Sequence, residues 1–400
     1  MSLRTQGFVG ARLREARVMI ELSATALAEQ LEISPQSLYA YESGKAVPSN
    51  ETTEKLSELL KVPKTAFLNP VSYDGHETVF FRSLNSATKA SRERSEVINR
   101  RFKEIVDYLE SFLDFPSLDL PEFDLPDDPR KLDMDDIEGI ATQLREHWGI
   151  GEKPLGNIVA LVEAKAGFVH RYKLASPKLD GLSSRSKAGK WVITLNKDKE
   201  TAVRSRFDIA HELGHLILHE NVDRSRLNDK VFFKLIEDQA HRFAAAFLVP
   251  ENAFLSEYIS PDLDMLLSMK QRWRASVAML IVRAKDLDVM PPDRVEKVWR
   301  AYAWRKWRGH EPFDGEWKTE EPALAKIGFE VLFEEHLQTP DDVLLNLPFG
   351  GKRIEEIVGL PEGFITGKKV EHVIKLKPKS RKTKKTDMQE GEVIEFPKRN

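Results

Sequence analysis

Four hundred residues, 41% hydrophobic and 31% charged, describe about two to four joined globular modules rather than a disordered or fibrous chain. The formal net charge of −3 selects no class of partner, and the absence of cysteine excludes disulfides, thiolate nucleophiles and cysteine zinc fingers. Any zinc must then be held by histidine and carboxylate, which suits an open catalytic site. No apolar run approaches the roughly 20 residues of a membrane span, and the Met-Ser-Leu-Arg start has no secretory h-region, so a cytoplasmic location is expected.

In chain order, helices are predicted over 12–18, 23–31, 34–44 and 50–60. Ser23 and Ser34 suit N-cap positions, Pro35 the first helical turn and Gly44 a C-terminal stop. Two short helices joined by a tight turn within such a bundle form a helix-turn-helix. These residues resemble the lambda-repressor-like (XRE) DNA-binding domain, whose second motif helix enters the major groove. The resemblance implies a double-stranded DNA operator as partner and a homodimer on two half-sites. It also implies base-edge contacts from Gln36, Ser37 and Tyr39, and phosphate contacts from Lys45 and Arg12. Two features depart from the pattern: the domain's charges nearly balance, without the basic excess behind non-specific DNA affinity, and Ala24 stands where many relatives carry Gln. A bundle used for dimerisation or partner docking is the competing reading.

Residues 79–84 read as a short extended segment. From 89 to 115, Val97, Ile98, Phe102, Ile105, Val106, Leu109 and Phe112 recur at helical spacing and predict a long connecting helix. The acidic, proline-punctuated stretch 116–129 reads as a linker or wrapped loop. Helices over 133–148 and 154–165 and strands over 168–172 and 191–195 follow.

Residues 211–215 read His-Glu-Leu-Gly-His. Positions four apart share one helical face, so His211 and His215 can close on one tetrahedral ion at about 2.0–2.1 Å. Glu212 projects beside them, placed to take a proton from a water activated at the metal. A buried helix carrying two histidines is the bland alternative. Catalytic zinc takes a third protein ligand, and a second amphipathic helix over 234–249, stopped by Pro250, offers Glu237. His219 lies one further turn along, about 6 Å beyond His215, too far to share the ion without a bend, and reads as a helix-end residue. Asp238 and His241 lie on the helix of Glu237; His241, one turn on, is a candidate ligand-orienting or substrate-contacting group. Asp208, one turn before His211, can orient that ligand's other ring nitrogen or answer a helix N-terminal charge preference. Arg204 and Arg206 read as solvated or ion-paired.

Three separated blocks, Ile193-Thr194-Leu195-Asn196, the run from Arg204 through Ala210 into 211–215, and Glu237-xx-Ala240-xx-Phe243-Ala244-xx-Phe247-Leu248-xx-Pro250, resemble the ImmA/IrrE family of zinc metallopeptidases in order and spacing. The resemblance implies Zn2+ held by His211, His215 and Glu237, with Glu212 as general base. It implies as substrates repressor-like regulatory proteins, cut in stress responses or mobile-element excision. His241 departs from it, since members often carry Asn or Asp there. Zinc peptidases commonly pair an extended substrate with an edge strand beside the metal helix. Residues 191–195 are the candidate strand, with His170 or Tyr172 as candidate transition-state donors, each weighed against a structural role.

Beyond Pro250 the pattern stays helical. Trp273 and Leu280 at seven-residue spacing read as core, and Trp299, Trp304 and Trp307 read as helix-packing anchors rather than base-stacking platforms. Short helices are predicted within 340–364, and a basic, disordered tail from 368. The expected fold is mainly α with a small β-sheet (α+β). A helix-turn-helix bundle (1–70) is followed by a connecting segment (71–130), a zincin-like peptidase domain (131–260), a helical region (261–366) and the tail (367–400). The expected function is a DNA-binding regulator carrying a zinc endopeptidase that cuts a repressor-like protein or itself. A transcription factor with a non-catalytic sensor domain, and the antitoxin or interaction half of a two-component system, are the alternatives.

Overall fold

The computed structural model describes residues 4–73, 80–81, 88–174, 176, 179–198, 201–347 and 349–367. The predicted basic tail from 368, and the flanks of the predicted extended segment around Phe80–Phe81, lie outside the described residues. The described chain is mainly helical around one small sheet, the α+β class that the sequence predicts.

The N-terminal helices are α1 (Gly10–Met19), α2 (Ala24–Gln30), α3 (Pro35–Glu42) and α4 (Asn50–Leu60). Ser23, Ser34 and Ser49 cap α2, α3 and α4 by accepting from the backbone N–H groups of Ala26, Ser37 and Thr52, each satisfying an otherwise unpaired first-turn donor. Leu13, Leu27, Leu38, Leu56 and Phe67 form the bundle core. At Gly10 an added Cβ would stand 2.1 Å from the Tyr41 carbonyl oxygen, so only glycine lets α1 cross α3 this closely.

One predicted DNA contact is overturned here. Arg12 is 2% exposed and cannot reach a phosphate. Its guanidinium donates to Glu15 Oε2 at 2.9 Å, to Glu104 Oε1 at 2.8 Å and to the Asn69 carbonyl at 3.2 Å. Glu15 is also bound by Arg100 at 2.7 Å and Arg101 at 2.8 Å. This buried network joins α1 to α5 (Lys89–Glu110). The predicted connector α5 is therefore an integral packing element. Its other face lies on the sheet, where Asn99 donates to Thr194 Oγ1 at 3.1 Å and accepts from Ser184 Oγ at 2.7 Å.

The sheet contains β1 (Phe80–Phe81), then, after helices α6 (Met134–His147) and α7 (Ile158–Lys165), β2 (Gly167–Tyr172), β3 (Gly181–Arg185) and β4 (Trp191–Asn196), in spatial order β1-β3-β4-β2. β4 runs antiparallel to β3 and parallel to β2, with Ile193 opposite Ser183 and Val169. Trp191–Asn196 is thus an interior strand, and the prediction that it offers a free edge to substrate is corrected. β3 is the strand beside the helix that carries His211 and His215, and β1 pairs with it at Leu182 and Ser183. Between α5 and α6 the segment 111–128 wraps the core around α6 and α7, pinned where Asp119 N–H donates to the Lys165 carbonyl at 2.7 Å and the Asp119 carbonyl accepts from Trp148 Nε1 at 2.7 Å.

Alternation along the strands sends Phe168, His170, Tyr172, Leu182 and Val192 toward α5, and Val169, Ser183, Trp191, Ile193 and Leu195 toward α8 (Ala202–Leu218). α8 packs on α9 (Lys230–Leu248), and α10 (Glu251–Glu257), α11 (Leu263–Trp273), α12 (Val277–Asp286) and α13 (Pro292–Trp304) extend that core. α14 (Leu324–Glu334), α15 (Pro340–Asn346) and α16 (Gly351–Val358) return to the α5 face, where Phe329, Leu332 and Ile354 join Ile98 and Phe102. Trp273 is core as predicted and Trp299 and Trp307 are half-buried, but Trp304 is 83% exposed and anchors nothing. No helix among the described residues is long and apolar enough to cross a membrane.

Candidate metal centre

α8 is buried nearly end to end, with Ile209, Ala210, Leu213, Leu216 and Ile217 in the core. Its contact with α9 is close because residue 214 is glycine: a Cβ there would lie 2.9 Å from Phe243 Cδ1. α9 begins where Asp229 caps the N–H groups of Val231 and Phe232 at 2.8 and 3.3 Å, and ends before Pro250. This packing sets Glu237 against the two histidines.

His211 and His215 are fully buried and Glu237 is 7% exposed. His215 Nε2 lies 3.0 Å from both His211 Nε2 and Glu237 Oε1, and His211 Nε2 lies 3.6 Å from Glu237 Oε2. Ligands 2.0–2.1 Å from a tetrahedral ion stand about 3.3 Å apart, so these donor atoms have the spacing of three corners around one zinc. The donor set, two imidazole nitrogens and a carboxylate, is that of a catalytic rather than a structural site. The residues present fit the ion.

Glu212, fully buried, points to the sheet side, where Ser183 Oγ donates to its Oε2 at 2.8 Å. Gly181 on the same strand leaves room for it: an added Cβ would meet Glu212 Oε1 at 2.9 Å. Gly181→Ala must therefore push this carboxylate aside. If this site hydrolyses a peptide bond through Glu212, the expected outcome is a loss of about 10²-fold in rate, the scale of a 1 Å misplacement, with the thermal midpoint kept; steady-state rates beside thermal melts check it.

Behind the donor atoms runs a buried chain. His215 Nδ1 lies 3.0 Å from His219 Nδ1, His219 Nε2 lies 3.0 Å from Gln239 Oε1, and Gln239 Nε2 donates to the carbonyls of Pro129 at 2.7 Å and Leu132 at 3.2 Å. Burial holds the His219 pKa far below the usual range, at about 3, with neighbouring His215 adding to the effect.

His241 is partly exposed, and its ring centroid lies 4.6 Å from that of His211 and 5.9 Å from that of Phe207. His241 and Phe207 line a cleft of about 1160 Å³ whose far wall comes from α12, α13 and the segment 307–315, including Lys285, Trp299 and Trp307. The 307–315 wall is fixed by a buried cluster in which Lys270 Nζ donates to Glu311 at 2.8 Å and Asp314 at 2.5 Å. Asp238 also lines this cleft and pairs with Lys234 at 2.6 Å. Asp208 is buried on α8 one turn before His211.

Two predicted transition-state donors are not brought to this site. His170 and Tyr172 point to the opposite face of the sheet. The His170 ring stacks on Phe102 at 4.3 Å, and burial depresses its pKa to about 3. Tyr172 accepts from Arg353 Nη1 at 3.3 Å. Arg206 is structural too, donating to the carbonyls of Gly156 and Leu155 at 2.6 and 3.0 Å, and Arg204 pairs with Asp180 at 3.2 Å. Sequence reasoning missed Ser183, Gly181 and Gln239, which lie far from the motif along the chain. For His219 the signal was present, a third histidine four residues beyond His215.

On the N-terminal bundle, Gln36, Tyr39 and Lys45 are exposed and Ser37 is half-buried, its hydroxyl 2.9 Å from Ser34 Oγ. α3 thus presents Gln36 and Tyr39 outward, and Arg12 is withdrawn between α1 and α5.

Comparison with known proteins agrees with both halves. Residues 10–72 match the helix-turn-helix domain model, and residues 167–285 match the IrrE N-terminal-like domain of the peptidase M78 type. Proteins from Methanococcus maripaludis strains C5, C7 and C6, assigned by name as HTH-type transcriptional regulatory proteins, are each 32% identical over 99 residues, 25% of this chain and 27% of theirs. The chain therefore spans about a quarter of the length of the curated relatives it matches. What the fold, the motif and these matches establish together is a chain that carries an XRE-like helix-turn-helix domain at its N-terminus and an ImmA/IrrE-type peptidase M78 domain behind it.

Proposed function

We propose that this protein is a DNA-binding regulator whose second domain is a zinc-dependent endopeptidase acting on a repressor-like regulatory protein or on the chain itself. The observation that carries the reading is the convergence of His211, His215 and Glu237 beside a buried Glu212. A zinc ion held there supplies Lewis acidity toward water and toward the scissile carbonyl. Glu212 takes the proton of the attacking water on a carboxylate oxygen and delivers it to the departing amine nitrogen, so water adds across the peptide bond. Ser183 holds the Glu212 carboxylate on its sheet side, and His241 faces the cleft as the nearest polar contact for substrate.

On DNA, Gln36 and Tyr39 read bases and Lys45 contacts phosphate, as the exposure of these side chains allows. Gln36→Ala is expected to weaken operator binding by about 1–3 kcal/mol and to relax discrimination at one base. Lys45→Ala should weaken all sequences alike and flatten the salt dependence. Fluorescence anisotropy on cognate and scrambled duplexes separates the two. The protease half is tested by mapping new protein N-termini in cells expressing the wild-type chain or Glu212→Gln. A cut present only with the wild type supports it. No Glu212-dependent cut, with regulation kept, favours the alternative of a transcription factor with a sensing domain.

A further inference from the structure

We propose that His219 and Gln239 are positioning residues that fix the tautomer of His215 and so aim its Nε2 lone pair at the cation; the role rests on the zinc reading above. The donors and acceptors of the buried chain fix where its protons sit. The Gln239 amide nitrogen donates to two carbonyls, those of Pro129 at 2.7 Å and Leu132 at 3.2 Å. An amide has only these two donors, so its oxygen is left as acceptor. That oxygen lies 3.0 Å from His219 Nε2, which must carry the proton. A neutral imidazole with its proton on Nε2 has a lone pair on Nδ1, and His219 Nδ1 lies 3.0 Å from His215 Nδ1. His215 Nδ1 is therefore the protonated nitrogen, and the lone pair of His215 stands on Nε2, the atom 3.0 Å from both His211 Nε2 and Glu237 Oε1.

The chain draws on three parts of the fold. His215 and His219 come from α8 and its C-cap, Gln239 from α9 beside Glu237, and the carbonyls from the turn that precedes α6. His219 and Gln239 are 1% and 0% exposed, so water does not compete for these bonds. The third histidine of the His-x₃-His-x₃-His run is thus not a ligand that falls short of the ion. It stands behind a ligand, where a hydrogen-bond acceptor on Nδ1 both orients the ring and raises its basicity.

The test uses the full chain. Zinc affinity is measured by competition with a chromophoric chelator for wild type, His219→Phe and His219→Gln. Phenylalanine fills the space without donor or acceptor, and binding is expected to weaken about 10- to 100-fold. Glutamine supplies an acceptor toward His215 and a donor toward Gln239, and should stay within about threefold of wild type. His219→Phe binding zinc like wild type, or His219→Gln losing as much as His219→Phe, overturns the proposal while leaving the zinc reading intact; a wild-type chain that binds no zinc sinks the zinc reading itself. A second measurement needs no variant to fold: imidazole ¹⁵N shifts of the histidine-labelled, zinc-loaded wild type should place the His215 proton on Nδ1 and the His219 proton on Nε2. Either proton on the other nitrogen overturns the assignment.

Discussion

Glu212→Gln is expected to abolish peptide hydrolysis to within the limits of most assays, a loss of about 10²- to 10⁴-fold, while zinc content, thermal midpoint and DNA binding stay at wild-type values. The amide has the shape of the carboxylate and can still accept from Ser183 Oγ, now 2.8 Å away, so the fold has no reason to change. It cannot take a proton from water, and Glu212 is not among the three convergent metal-binding groups. Initial rates on a cleaved protein, measured beside metal analysis of the same preparation, check both halves. Retained hydrolysis would assign the base elsewhere, and zinc lost with the activity would make Glu212 a ligand or a structural prop.

The largest expected effect on stability lies far from the metal. Glu15, 3% exposed, binds Arg12, Arg100 and Arg101 at 2.9, 2.7 and 2.8 Å. Glu15→Gln leaves Arg12 and Arg101 to share the carboxylate of Glu104 and takes the carboxylate away from Arg100. Breaking a buried charge network from one side costs about 3–5 kcal/mol, and urea denaturation midpoints of the full chain should show it; a change below about 1 kcal/mol would mean that the network is screened. The pH dependence has a definite sign. Burial pushes the Glu15 carboxyl up, but Arg101, Arg12 and Arg100 together hold it below its ordinary value of 4.5. A carboxyl depressed in the folded state stabilises fully above its ordinary value, and this contribution fades as pH falls below 4.5 toward the folded value. Glu15→Gln should lack that part of the acid dependence.

The metal helix was legible because its signal is local. Two histidines four apart and a glutamate between them need only helical geometry to become a site, and Glu237 follows from a second amphipathic helix. What stayed hidden depends on partners distant along the chain. Arg12 reads as a free basic residue until Glu104, 92 residues on, is folded against it. β2 and β4 are buried at every position, so no hydrophobic alternation told which face His170 and Tyr172 take or that β4 lies inside the sheet. The helix of 89–115 reads as a connector because the residues it packs against are distant along the chain, whereas Asn99, Arg101 and Glu104 are all buried against neighbours. Trp304 fails in the other direction, since an aromatic at helical spacing was read as packing and stands in solvent.

The central claim is that His211, His215 and Glu237 hold zinc. Elemental analysis of the full chain purified without added metal, beside a His211→Ala, His215→Ala double variant, tests it most directly. About one zinc per wild-type chain and none in the variant is the expected result. A wild-type protein that folds, binds its DNA and carries no metal would contradict it and leave the domain as a sensor rather than a peptidase.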